Sequence, residues 1–126
     1  MTPQSKMRVL VVDDNRDAVD SLTLLLKLAG QEVASAFDGH EALEQFEVFR
    51  PDIVVLDIGL PMLNGYEVAR RMRALPHDKP VLLVALTGWG QEDDRRRTVE
   101  AGFDHHLVKP VDFEALKGLL TGVSYS

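Results

Sequence analysis

Five residues able to do chemistry each stand at the end of an apolar run. Asp13 and Asp14 follow Val9-Leu10-Val11-Val12, Asp57 follows Ile53-Val54-Val55-Leu56, Thr87 follows the run from Val81 to Leu86, and Lys109 follows a run that closes at Val108. Apolar runs without polar alternation read as strands buried on both faces, as in parallel sheets. In such a sheet every carboxyl end lies on one edge, where open α/β folds bind their ligands. Carboxylates gathered there raise one another's pKa values unless a hard divalent cation sits among them. Oxygen donors without His or Cys favour Mg2+, with Mn2+ as a substitute. The lysine ammonium and threonine hydroxyl supply a point charge and a donor for phosphoryl oxygens. The chemistry indicated is movement of a phosphoryl group.

The elements that must position these residues alternate along the chain. After a first strand over 8–12, apolar residues at 18, 22, 25, 26 and 29 form one helical stripe, and Gly30 is placed to close the helix. Residues 32–36 make a weak second strand. Asp38, with Glu41 three residues on, resembles a capping box for a helix to about Val48, with Ala42, Leu43 and Phe46 facing inward. Pro51 separates this helix from the third strand. The stretch 60–65, rich in Pro, Asn and Gly, is a loop before a third helix over 66–75. A linker over 76–80 leads to a fourth strand over 81–86, and Thr87-Gly88 caps it. Residues 91–101 read as a helix that should pack loosely, because only Val99 and Ala101 in it are apolar. A fifth strand over 103–108 precedes a last helix that begins at Asp112, with Phe113, Leu116, Leu119 and Leu120 on one face. Strands and helices alternating at this spacing predict right-handed βαβ units, hence an α/β, doubly wound (βα)5 sandwich with a parallel sheet covered on both faces.

With 126 residues, 45% hydrophobic and 27% charged, the chain should form one domain, 1–126. Its formal net charge of −6 disfavours general attraction to nucleic-acid phosphates, since the basic residues cluster only at Arg95-Arg96-Arg97. The absence of cysteine excludes disulfides, thiolate catalysis and cysteine-based zinc sites. No apolar run approaches the ~20 residues that cross a bilayer, and the first residues lack the apolar centre of a signal peptide. No nucleic-acid or membrane partner is expected, and the cytoplasm is the expected location.

The motifs VVDDN, VLDIGLPMLNGYEV, ALTG and KP, in this order, resemble the receiver domains of two-component response regulators. The resemblance covers a core from about residue 7 to 120. It implies a flavodoxin-like sheet in the order 2-1-3-4-5 and phosphorylation of an aspartate by a histidine kinase or histidine phosphotransfer protein. Carried over residue by residue, it implies that Asp57 is the phosphoacceptor, whose carboxylate forms an acyl phosphate. Asp14 would be a direct Mg2+ ligand and Asp13 a ligand through water, with Asp57 and the main-chain carbonyl of Gly59 completing the protein's share. Lys109 would pair with Asp57 and later with the phosphoryl group. The Thr87 hydroxyl would move toward a phosphoryl oxygen, and Gly88 is small enough for its amide to approach closely. Pro110 would follow Lys109 through a cis bond. Such a domain acts on itself rather than turning over a substrate, and it signals to a downstream protein through the face of the fourth helix, fifth strand and fifth helix.

Some positions depart from the pattern. The family's switch position, three before the lysine, is Tyr or Phe in receivers and His106 here. An imidazole can fill that slot or titrate near neutral pH; the alternative is a partly exposed strand histidine. A zinc pair with His105 is disfavoured, because strand neighbours face opposite ways. Gly59, two after the acceptor, offers no side chain to position or exclude water. Trp89, two after the threonine, could cover the site and slow hydrolysis, or be a surface aromatic on a loop. The arginine run is either a solvated helix face or part of the signalling surface. The ending after the fifth helix predicts no output domain, so the chain would be a stand-alone regulator or a receiver from a larger protein. The segment from ALTGWG to KPV is most similar to receivers carried by hybrid histidine kinases. Two rival readings remain. An aspartate-dependent phosphohydrolase of the haloacid dehalogenase type would carry DxD where Asp13 and Asp14 are adjacent. A phosphorylation-independent interaction module would not need the full acid, threonine and lysine set.

Overall fold

A computed structural model describes residues 6–76, 79–88 and 95–123. The elements alternate as expected: β1 (Arg8–Val12), α1 (Arg16–Leu28), β2 (Glu32–Ala36), α2 (Gly39–Phe49), β3 (Ile53–Asp57), α3 (Gly65–Ala74), β4 (Leu82–Thr87), α4 (Arg95–Ala101), β5 (His105–Val108) and α5 (Phe113–Val123). The strands form one sheet in the order β2-β1-β3-β4-β5, and every pairing is parallel. The fold is a doubly wound, flavodoxin-like (βα)5 sandwich, as the sequence predicts.

Because strand side chains alternate between faces, each central strand feeds two cores. Leu10, Val12, Val54, Leu56, Leu83 and Ala85 pack with α2 and α3 through Ala42, Phe46, Val68, Ala69 and Met72. Val9, Val11, Ile53, Val55, Val84 and Leu86 pack with α1 and α5 through Val19, Leu22, Leu26, Leu116 and Leu120. Burial on both sides is why β1, β3 and β4 lack polar alternation.

Caps fix the helix ends. The Asn15 side chain accepts from Ala18 N, Asp38 from Glu41 N and Asn64 from Glu67 N, so all three helices start on a side-chain oxygen. Glu41 reaches back to Phe37 N at 2.6 Å, one residue before the expected partner of a capping box. α1 closes in a Schellman motif, with Gly30 at φ 92, Gly30 N donating to Lys27 O and Gln31 N to Leu26 O.

Several boundaries differ from expectation. The buried face of α1 is centred on Val19, Leu22 and Leu26; Ala18, Leu25 and Ala29 of the expected stripe are exposed. β4 begins at Leu82 and includes Thr87, which pairs with Val108. β5 is shorter than 103–108. Phe103 N donates to Thr98 O and Gly102 N to Val99 O, a second Schellman turn closing α4, so Phe103 is buried as a helix-closing residue rather than a strand residue. In α4, Val99 faces solvent while Thr98 and Ala101 are buried. The expected start of α4 at Gln91 lies outside the described residues.

Candidate functional site

Parallel register brings the strand ends to one edge. Val12 pairs with Leu56, Asp57 with Leu86, and Thr87 with Val108. One step beyond β1, Asp13 therefore falls beside Asp57, and its amide donates to Ala36 O at 3.2 Å. Lys109 follows β5, and its amide donates to Thr87 O at 2.8 Å.

Side chains complete the convergence. Lys109 Nζ lies 2.8 Å from Asp13 Oδ2 and 3.1 Å from Asp57 Oδ2. The other oxygens are held by backbone: Asn15 N donates to Asp13 Oδ1 at 3.0 Å, and Gly59 N donates to Asp57 Oδ1 at 2.9 Å. Asp13 and Asp57 are buried, at 2% and 5% exposure, whereas Asp14 is exposed. Carboxylate oxygens of Asp13, Asp14 and Asp57 lie within 4.8 Å of one another. The peptide before Pro110 is cis.

The charges do not balance. Three carboxylates face one ammonium. Burial pushes the Asp57 carboxyl above the usual carboxylate range. The Gly59 amide and Lys109 pull it back, the charge of Asp13 adds to the rise, and the net direction is upward. Burial alone would lower Lys109. Its hydrogen bonds to Asp13 and Asp57, with their charges, outweigh burial and hold it above the usual lysine range, so it stays protonated. An all-oxygen donor set with surplus negative charge fits a hard divalent cation of the Mg2+ kind.

Comparison with known proteins places the chain. The family model for the response regulator receiver domain matches residues 9–121. This chain belongs to that family. The receiver is 47% identical over 109 residues to the transcriptional regulatory protein PrrA of Mycobacterium leprae, an alignment covering 86% of this chain and 46% of PrrA. It thus spans about half the length of that relative. Among solved structures it resembles the CheY-like response regulator receiver domain of Methylobacillus flagellatus, with TM-score 0.85, 28% identity and coverage of 94% of this chain and 99% of that one. The chemotaxis protein CheY4 of Vibrio cholerae gives the same TM-score of 0.85, at 29% identity, covering 94% of this chain and 99% of that one. No helix among the described residues is long and apolar enough to cross a membrane.

The receiver's edge therefore gathers Asp13, Asp14, Asp57, Thr87 and Lys109. Gly88 and Lys109 also line a groove of about 480 Å³ between α1 and the segment after β5, with Leu22, Leu25 and Pro110. His106 is half-buried on β5, opposite Ala85, while His105 is exposed. Trp89 lies outside the described residues. Sequence reasoning did not single out Asn15, which caps α1 and whose amide holds Asp13. An Asn directly after two strand-end acids and before a helix is a legible cap signal that would have found it.

Proposed function

We propose that this receiver takes a phosphoryl group from a phosphohistidine of a histidine kinase or phosphotransfer protein onto Asp57. One observation carries the reading: a buried carboxylate ends a central parallel strand, held between a lysine and a pair of further carboxylates. In the transfer an Asp57 oxygen bonds to phosphorus as the phosphorus–nitrogen bond breaks, and the departing imidazole keeps the electron pair and takes up a proton. Carboxylate and phosphoryl group are both anionic, so positioning and screening supply most of the rate.

Each residue has a part in this. The Gly59 amide, on Asp57 Oδ1, keeps the carboxylate from rotating. Lys109 shields its charge and, after transfer, pairs with the new phosphoryl oxygens. Asp13, Asp14, Asp57 and the Gly59 carbonyl would hold Mg2+, which supplies charge neutralisation at the phosphoryl oxygens when bound. The Thr87 hydroxyl and Gly88 amide meet the phosphoryl group from β4, and the added negative charge draws Thr87 inward. The response reaches a downstream protein through α4, β5 and α5, where Val99 and Val108 are exposed apolar residues. His106 and, two residues after Thr87 in the sequence, Trp89 tune how long the signal lasts and how it leaves. The transcriptional role in the name of PrrA belongs to that longer protein.

Incubation with Mg2+ and a small acyl phosphate, followed by intact mass over time, tests the reading. A lasting phosphoryl adduct on wild type and none on Asp57→Asn is expected. Continuous donor turnover would favour a phosphohydrolase, and no adduct on wild type would favour an interaction module.

A further inference from the structure

Gly65 opens α3 in ordinary helical backbone, where alanine is the better helix former. Yet a Cβ added there would stand 2.5 Å from Ile58 Cα, 2.6 Å from the Asp57 carbonyl oxygen and 3.1 Å from the Asp57 carbonyl carbon. All three are backbone atoms, which cannot turn aside as the tip of a side chain can. The Gly65 amide also donates to Ile58 O at 3.1 Å. The first turn of α3 is thus seated directly on the peptide that follows Asp57. That same short backbone leads to the Gly59 amide, 2.9 Å from Asp57 Oδ1.

We propose that Gly65 is a positioning residue for Asp57. Its missing side chain lets α3 brace the Asp57-Ile58-Gly59 backbone, and so sets the carboxylate and the Gly59 carbonyl against Asp13, Asp14 and Lys109. The inference rests on the reading of Asp57 as the acceptor within a Mg2+ site. A Cβ at Gly65 forces that backbone to move, and the acid cluster loses its registry with it.

Gly102 supplies a control at the opposite edge of the sheet. It is at φ 104, and an added Cβ would lie 2.7 Å from Arg73 Cγ, so alanine there is strained but remote from the acids. Wild type, Gly65→Ala and Gly102→Ala would be compared by thermal unfolding in EDTA and by calorimetric titration with Mg2+. Both variants should melt earlier, whereas Mg2+ binding should weaken about tenfold in Gly65→Ala and stay within about twofold in Gly102→Ala. Unchanged Mg2+ affinity in Gly65→Ala, an equal loss in Gly102→Ala, or a wild type that binds no Mg2+ would each overturn the proposal. Should Gly65→Ala fail to fold, Asn64→Ala replaces it, because it loosens the first turn by removing the cap on Glu67 N and adds no atom near β3. Weaker Mg2+ binding is then expected, and unchanged binding overturns the proposal. If wild type binds Mg2+ but takes no phosphoryl group from an acyl phosphate, the acceptor reading fails, while the Mg2+ constants still decide the role of Gly65.

Discussion

Asp57 is held in a setting that resists its own charge. Burial raises its pKa above the usual value despite Lys109 and the Gly59 amide. A carboxyl whose folded pKa is raised stabilises the fold fully below its unfolded pKa, and that contribution is lost as pH rises through the folded pKa. Asp57→Asn removes the effect. In EDTA the variant should match wild type below about pH 4 and melt higher than wild type near neutrality. Added Mg2+ should narrow the gap, because the cation offsets the repulsion only in wild type. Thermal melts across pH check this, and a gap independent of pH or of opposite sign would sink it. The acids themselves were legible, since each ends a run too apolar to be anything but a buried strand. Gly65 was not, because its constraint comes from backbone atoms seven and eight residues away.

At the level of elements, α1 shows where periodicity stops short. Leucines at 22, 24, 25, 26 and 28 leave several phases of the helix open, and docking against β1 selects the one centred on Val19, Leu22 and Leu26. Leu24 and Leu28 are left 59% and 76% exposed. Leu26→Ala should therefore cost about 2–5 kcal/mol, while Leu28→Gln should stay within roughly 0.5 kcal/mol. Chemical denaturation of both variants checks the phase, and a large loss for Leu28→Gln would contradict it. In α5, a Cβ at Gly118 meets nothing within 4 Å. Gly118→Ala should stabilise by about 0.5–1 kcal/mol, because alanine loses less backbone freedom in a helix. A lower unfolding midpoint would refute that. β5 was read too long because an apolar Phe103 next to a short strand looks the same in sequence whether it extends the strand or closes the preceding helix.

Across the whole molecule, one side chain ties three elements at the edge opposite the acids. Arg73 of α3 donates to Gly102 O through Nε at 2.9 Å and Nη2 at 2.7 Å, to Val81 O through Nη1 at 2.8 Å, and to Asp104 Oδ2 through Nη2 at 2.6 Å. Asp104 Oδ2 in turn accepts from Leu83 N at 2.8 Å. The clamp joins α3 to the start of β4 and to the turn that enters β5, the edge strand leading to Lys109. Arg73→Ala should cost about 2 kcal/mol, and amides of β5 should exchange with solvent sooner than those of β1. Equal acceleration in both strands would show that no such local tie exists. By itself the sequence determined the alternation of elements, the parallel sheet and the chemical types gathered at its carboxyl edge. These follow from local rules, since apolar runs, caps and turn residues act over a few positions along the chain. Tertiary structure alone decided the rotation of α1, the reach of Arg73 and the seating of α3 on the backbone after Asp57. Each depends on atoms that are distant in sequence, and close packing, which admits no void and no overlap, brings them together in only one arrangement.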